Sequence, residues 1–354
     1  MPDMSNILIC DMPVRFDTYS GCSHMCRYCF VKRLSDISKI EKKESAKVLY
    51  NFIQKRRAGE TVLGIFDYDI PIHWGGLSDP FQPAESLHRE SLKCLQVFRD
   101  TQYPFVVSTK GSIIADDEYL AFLKDCDCAV QISAVCSSYD KSEPGAPSYD
   151  KRVDIMGKIS KYKRVIVRIQ PLLPSVADEV INNLPRLRDA GVYGVIVEFM
   201  KYRTKKEGTV KVQGDHAYPL ETIKPIFDRL KNKAHDLGLK VFSGENRLRQ
   251  YGDGLNCCGV GDMWKCHTHN LNHAIFGDLC FQPIHDVPGT IDNSFVFGIN
   301  NRGKALKLFS YKEILGLSLR DKGKMSNYFI PKENKENVLR SRCACDKDCD
   351  DAGD

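Results

Sequence analysis

The sequence predicts an α/β fold, a partial (β/α)6 barrel of parallel strands with a loop-rich C-terminal cap. Three observations predict it. Short runs of β-branched and aromatic residues recur along the first two thirds of the chain, helical patterns separate them, and the alternation stops near Glu245, where Gly, Asn, Cys and His take over. The 354 residues, 42% hydrophobic and 27% charged, suffice for one large core. The division expected is a barrel over 1–244 and a Cys/His-rich cap and tail over 245–354.

The elements follow in order. An extended run over 14–19 leads through Ser20-Gly21 into a cysteine-rich loop. A helix is expected over 41–57, where Val48, Leu49, Phe52 and Ile53 share one face at 3.6-residue spacing. Next come a strand over 72–76, a helix over 84–98, a strand over 105–109, and a helix over 117–124 that Asp116 would cap. Runs at 129–135, 165–169 and 192–199 read as strands, with helices over 149–161 and 177–190 between them. A helix over 220–237 and a seventh strand over 240–243 complete the pattern. In such a fold the site is expected at the carboxyl ends of the strands.

Composition sets bounds on the setting. No apolar run approaches the roughly 20 residues of a membrane span, and residues 1–11 lack the basic-then-apolar layout of a secretion signal, so a cytoplasmic location is expected. Fifteen cysteines in a chain of this length then read as thiols and metal ligands rather than disulfides. The net charge of +5 permits a nucleic-acid partner without requiring one.

The segment Ser20-Gly21-Cys22-Ser23-His24-Met25-Cys26-Arg27-Tyr28-Cys29-Phe30 places three cysteines with gaps of three and two residues. Three thiolates on one tight loop can hold three irons of a [4Fe–4S] cubane and leave the fourth open to an exchangeable ligand. The competing reading, a structural zinc, prefers paired Cys-x-x-Cys knuckles and a fourth ligand.

With this motif the chain resembles the radical S-adenosylmethionine superfamily, whose signature carries an aromatic residue before the third cysteine, here Tyr28. Within it the chain resembles the spore photoproduct lyase and DNA photolyase-like subgroup over residues 14–203. Four stretches carry that likeness: Gly75-Gly76-Leu77-Ser78-Asp79-Pro80, Ser108-Thr109-Lys110, Gln131-Ile132-Ser133 running on to Glu143-Pro144-Gly145, and Val197-Glu198-Phe199. The resemblance implies a 5'-deoxyadenosyl radical formed from S-adenosylmethionine, with a reductant such as flavodoxin or ferredoxin. It implies that Gly75 and Gly76 admit the methionine end of the cofactor, that Lys110 meets its carboxylate and that Ser133 faces its ribose. The plainer readings are a turn, a surface lysine and a serine that satisfies neighbouring backbone.

Glu198 stands in an apolar strand and should meet a ligand or a cation, with Arg168 one candidate for the pair or for cofactor contact. The subgroup's repair reaction passes hydrogen from a cysteine after the second strand and uses a tyrosine after the third cluster cysteine. Here Gly76 and Phe30 occupy those places, so repair is not expected. Cys136 is a candidate replacement donor, against the reading of a small packed residue.

Seven further cysteines, Cys257, Cys258, Cys266, Cys280, Cys343, Cys345 and Cys349, together with His267, His269 and His273, offer ligands for an auxiliary iron–sulfur cluster or a zinc. Free thiols and a frayed tail are the alternative. Lys201, Arg203, Lys205, Lys206 and Lys211 cluster after the sixth strand and would suit phosphates. The expected function is therefore modification or rearrangement of a nucleic-acid base or nucleotide, a modified thymine in DNA being one version. Radical modification of a peptide or small metabolite, and a nonenzymatic iron–sulfur regulator, are the alternatives.

Overall fold

The computed structural model describes residues 3–4, 12, 14–58, 69, 71–212, 215–254 and 257–264. In chain order these form β1 (Asp3–Met4), β2 (Val14–Phe16), β3 (Tyr19–Ser20), β4 (Glu41–Lys42), α1 (Ala46–Arg57), β5 (Ile72–Trp74), α2 (Ala84–His88), α3 (Glu90–Thr101), β6 (Phe105–Thr109) and α4 (Asp117–Leu123). Then follow β7 (Cys128–Ser133), α5 (Tyr149–Ile159), β8 (Arg164–Leu172), α6 (Ala177–Asp189), β9 (Gly194–Phe199), β10 (Lys201–Tyr202), β11 (Val210–Val212), β12 (Asp215–Ala217), α7 (Leu220–Asp236) and β13 (Lys240–Ser243).

The main sheet has the order β1-β2-β5-β6-β7-β8-β9-β13. Every pair is parallel except the edge pair of β1 with β2. Seven parallel strands joined in sequence by helical crossovers make the expected partial barrel. Its outer face is apolar: Val14, Phe16, Ile72, Trp74, Val107, Val130, Val167 and Val197 are fully buried in the core that the helices cover. Trp74 centres an aromatic group with Phe16, Phe81, Phe98 and Phe105, and its indole N–H donates to Thr18 Oγ1 at 2.7 Å.

Because strand side chains alternate, the same strands present a second row inward. Near the amino ends this row is Val106, Ala129, Ile166, Ile196 and Phe242, and it packs on Cys258 and Val260. Residues 257–264 thus lie beneath the sheet's amino ends. Arg164 pairs with Asp262, Trp264 Nε1 donates to Asp127 at 2.9 Å, and Gln131 Nε2 donates to the Cys258 carbonyl at 3.0 Å. Of the expected cap, residues 245–251 follow the carboxyl end of β13, where Glu245 stands 3.9 Å from Lys201, and residues 257–264 form a floor at the opposite end of the strands. Residues 265–354 lie outside the described residues.

Several expected boundaries shift for local reasons. The helix expected over 41–57 starts only at Ala46: Ser45 caps it by accepting from Val48 N at 3.4 Å, and residues 41–42 form a hairpin strand with β3 instead. The helix expected over 84–98 breaks at Arg89, which is left-handed, and the Glu85 carboxylate accepts from Ser91 N and Leu92 N to start α3. Asp116 stands at the start of α4, but its side chain makes no capping bond. The charged stretch after β9, read as a loop, is a three-stranded antiparallel flap, β10-β12-β11.

Candidate functional site: the cysteine loop and the barrel mouth

The cysteine loop leaves the short β3–β4 hairpin and is fastened from three sides. Cys22 N donates to Ile37 O at 2.8 Å, and Ser23 N donates to Gln82 Oε1 at 2.8 Å. The β7–α5 connection runs along the loop: Arg27 N donates to Ser142 O at 2.8 Å and Gly145 N to His24 O at 3.1 Å. A side chain at Gly145 could not be fitted, since its Cβ would stand 2.0 Å from the Ser23 carbonyl.

Two buried charged groups hold the loop to the strand ends. His24 donates from Nδ1 to Gly145 O at 2.9 Å and faces Asp79 Oδ2 with Nε2 at 3.0 Å. Both ring nitrogens thus face acceptors, which only the imidazolium satisfies fully. Burial opposes that charge, yet Asp79 and the two hydrogen bonds outweigh it and raise the His24 pKa. Asp79 in turn is held at about 2; burial works against its ionisation, while His24 and hydrogen bonds from Lys110 N and Thr109 Oγ1 favour it.

The second group is Glu143, 2% exposed. It pairs with Arg152 at 2.6 Å, accepts from the Tyr28 hydroxyl, and stands 3.8 Å from Lys110 Nζ. The Lys110 ammonium also lies 5.8 Å from the Tyr28 ring centre. Arg152, fully buried, reaches the Ser133 carbonyl at 2.8 Å and Asp140 at 3.0 Å. Tyr28, Lys110 and Ser133 are therefore drawn into one neighbourhood beside the thiols.

Cys26 is buried, while Cys22 and Cys29 are part-exposed, and none of the three is in a disulfide. Burial first, then Asp79, pushes the Cys22 thiol up to about 12, with Cys26 contributing. Burial also raises Cys26, Glu143 and Cys29 adding to it and Lys110 opposing. Among the described residues no three His, Cys, Asp or Glu side chains converge as a single ion requires. A cubane asks for a different arrangement, each thiolate on its own iron around a volume. The donor set, three soft sulfurs on one fastened loop, fits such a group.

Inside the barrel a polar layer lies above the apolar floor. His73 Nε2 and Ser108 Oγ are 2.8 Å apart, and Ser108 Oγ donates to Gln131 Oε1 at 2.9 Å, as does Arg168 Nη1 at 2.9 Å. Burial, then Arg168 and Arg15, push His73 down to about 3, so it is neutral. Arg168 also donates to Gln170 Oε1, whose amide donates to Glu198 Oε2 at 2.7 Å. Glu198 completes its bonding with Lys201 Nζ at 3.1 Å. The Arg168–Glu198 pair considered from sequence is thus interrupted by Gln170, and Lys201 is the direct cation.

The remaining sequence candidates fall as follows. Gly75 has φ +86, and a Cβ there would stand 2.4 Å from the Ser108 carbonyl, so the turn alone requires glycine. Gly76 abuts the Arg15 side chain. The Ser133 hydroxyl makes no hydrogen bond to the described residues and is part-exposed, whereas its carbonyl is taken by Arg152. Cys136 is fully buried in the main core, 3.2 Å from Ser138 Oγ, with its thiol pushed up to about 11, chiefly by burial. Phe30 is 51% exposed. Cys257 and Cys258, their sulfurs 3.6 Å apart, lie in the floor, at the far end of the strands from Cys22, Cys26 and Cys29. Cys266, Cys280, Cys343, Cys345, Cys349 and the three cap histidines lie outside the described residues. His24, Asp79, Glu143, Arg152 and Gln170 were missed, although three of them stand inside motifs already singled out.

A partial barrel of seven parallel strands with a fastened cysteine loop at its mouth is a fold with solved counterparts. No family model matches this chain, and no curated protein matches it by sequence. Among solved structures, spore photoproduct lyase complexed with dinucleoside spore photoproduct is similar over 69% of this chain and 79% of its own, at 14% identity and a TM-score of 0.58. A variant of that lyase with bound S-adenosylmethionine and the same dinucleoside is similar over 65% and 76%, at 15% identity and a TM-score of 0.54. The chain has the fold of spore photoproduct lyase, the group that its motifs resemble. No helix among the described residues is long and apolar enough to cross a membrane.

Proposed function

We propose that this protein is a radical enzyme that holds a [4Fe–4S] cluster on Cys22, Cys26 and Cys29, cleaves S-adenosylmethionine, and acts on a nucleobase or nucleotide. The observation that carries the proposal is the cysteine loop itself, fastened by His24–Asp79 and Glu143–Arg152 to the carboxyl ends of a partial barrel. When bound, the cluster would supply one electron to a carbon–sulfur bond of the cofactor, which would break to give an adenosyl radical and methionine. The chain's own residues bind and orient. Lys110 offers a cation to the cofactor carboxylate, Ser133 an unused hydroxyl to its ribose, and the loop around Gly75-Gly76 a close backbone approach. Arg168, through Gln131 and Gln170, holds the polar layer rigid beneath the reacting groups.

The substrate class rests on the flap. Exposed Arg203, Lys205, Lys206 and Lys211 stand directly after β9, whose carboxyl end carries Glu198, so phosphates would be met beside the mouth. Repair is not the proposed reaction, because Gly76 lacks a thiol, Phe30 lacks a phenol, and Cys136 is sealed in the core.

The test is an anaerobic incubation with reductant, S-adenosylmethionine and, in separate arms, DNA, RNA, a peptide library and the photoproduct dinucleotide. The expected result is deoxyadenosine together with a mass change in a nucleic-acid arm and no catalytic return of thymine. A mass change confined to peptide, or efficient thymine formation, contradicts the proposal.

A further inference from the structure

The inner face of the barrel holds a positive charge that no described carboxylate neutralises. Side chains alternate along a strand, so His73, Ser108, Gln131, Arg168 and Gln170 point inward, between the apolar floor and the strand mouths. His73, Arg168 and Gln170 are part-exposed, whereas their outward neighbours Trp74, Val167 and Ile169 are buried, so space remains inside the barrel at this level. A guanidinium has five N–H donors. For Arg168, Gln170 Oε1 accepts from Nε at 3.2 Å and from Nη2 at 2.5 Å, and Gln131 Oε1 accepts from Nη1 at 2.9 Å. One N–H on each terminal nitrogen is left over, the pair that two oxygens of an oxyanion accept. Among the described residues Arg168 has no ion pair, and Glu198, the next carboxylate along the chain of bonds, is held by Gln170 and Lys201. A guanidinium withdrawn from water without an anion is costly, which a bound anion would offset.

His73 supplies the complementary function. Gln131 Oε1 can only accept, so the Ser108 hydroxyl gives its one proton there at 2.9 Å, and Ser108 Oγ must then accept from His73 Nε2 at 2.8 Å. The neutral ring is thereby fixed as the Nε2–H tautomer, and its Nδ1 is a lone pair with no partner among the described residues. Burial, then Arg168 and Arg15, keep the ring from taking a second proton; Arg15 stands opposite His73 on β2. Gln131 Oε1 accepts from both Ser108 and Arg168, which draws His73 and Arg168 toward each other across β6 and β7. A ligand that satisfies both must offer oxygens to a guanidinium and one O–H or N–H to an imidazole lone pair. A phosphate monoester does so, because its second proton leaves only at about pH 6 and part of it still carries an O–H at neutral pH. Sulfate and a phosphodiester have no proton to give, and their oxygens would face the Nδ1 lone pair.

We infer that Arg168 and His73 form a subsite inside the barrel for a terminal phosphate monoester of the substrate. The inference rests on the nucleotide reading proposed above and narrows it. The substrate is a nucleoside monophosphate, or a strand that ends in one, whose terminal phosphate enters the barrel, while the basic flap meets phosphates that stay outside. An internal diester is refused on two counts: it has no proton for His73, and its flanking sugars keep it from passing the mouth.

The test is calorimetric titration of the anaerobically reconstituted protein with inorganic phosphate, sulfate, nucleoside monophosphates and the matching nucleosides, with the ring nitrogens of isotope-labelled histidine followed by nuclear magnetic resonance. Phosphate should bind about tenfold more tightly than sulfate and shift the His73 Nδ1 signal, Arg168→Gln should weaken phosphate by about tenfold or more, and His73→Phe should bring phosphate and sulfate to within about twofold. Monophosphates should displace inorganic phosphate, and nucleosides should not. No phosphate binding, equal binding of phosphate and sulfate by the parent, or phosphate binding that leaves the His73 signal unmoved overturns the inference. Should either variant fail to fold, the parent's preference for phosphate over sulfate and its His73 signal decide by themselves. If phosphate binds as expected but no monophosphate displaces it, the subsite stands and the nucleotide reading fails. A nucleic-acid product formed by protein whose His73 signal ignores phosphate is the reverse, and overturns the subsite alone.

Discussion

Glu143 is the residue on which the loop's attachment converges, since one carboxylate serves Arg152, Tyr28 and Lys110. Its removal would leave the fully buried Arg152 guanidinium with Asp140 as its remaining carboxylate partner, and weakening such a buried pair costs up to about 3 kcal/mol. Glu143→Ala should therefore lower the unfolding free energy read from a urea titration by about that amount, and Glu143→Gln, which can still accept from Tyr28, by less. A loss under about 1 kcal/mol for the alanine variant would show that the backbone bonds to Ser142 and Gly145 suffice. At this scale the sequence was only partly legible. The cysteines announce themselves by spacing, but Tyr28 and Glu143 are 115 positions apart, and His24 and Asp79 are 55 apart. Nothing local marks them as partners; only the fold brings them together. The same limit explains Glu198, whose need for a cation was readable from its apolar strand, while the choice of Lys201 over Arg168 depended on Gln170 standing between.

Elements with strong periodicity were read well, and those made by contact were not. The strands over 105–109 and 240–243 fall where expected because their flanking turns and helices are explicit in the sequence. The break at Arg89 and the late start of α1 depend on the Glu85 and Ser45 side chains, which compete with simple helical periodicity. The floor was missed because its residues, Cys257 to Trp264, look like ligands and loop by composition. Its packing gives an independent test. Gly259 has φ +69, and a Cβ there would lie 2.9 Å from Phe242 and 3.0 Å from Ile166. Gly259→Val should therefore cost about 2 kcal/mol through overpacking and backbone strain, read as a shift in thermal midpoint. An unchanged midpoint would mean that the segment does not close the barrel.

At the scale of the whole molecule, the parallel order follows from the repeated alternation of strand runs with helices, because such crossovers leave few other topologies. The flap was less legible, since its strands are two or three residues long and its charges read equally well as a solvated loop. The resulting architecture separates tasks: an apolar floor closes the amino end, a bonded polar layer spans the interior, and the cysteine loop stands at the mouth beside a basic flap. That separation has meaning only if the loop carries the cluster. The decisive measurement is deoxyadenosine formed from S-adenosylmethionine by anaerobically reconstituted protein with dithionite, run beside the Cys22/Cys26/Cys29→Ala variant and paired with the iron electron-paramagnetic-resonance signal of each. The parent should form deoxyadenosine and show a reduced [4Fe–4S] signal from this loop, and the folded variant should lack both; deoxyadenosine formed by the variant at the parent's rate would contradict the account.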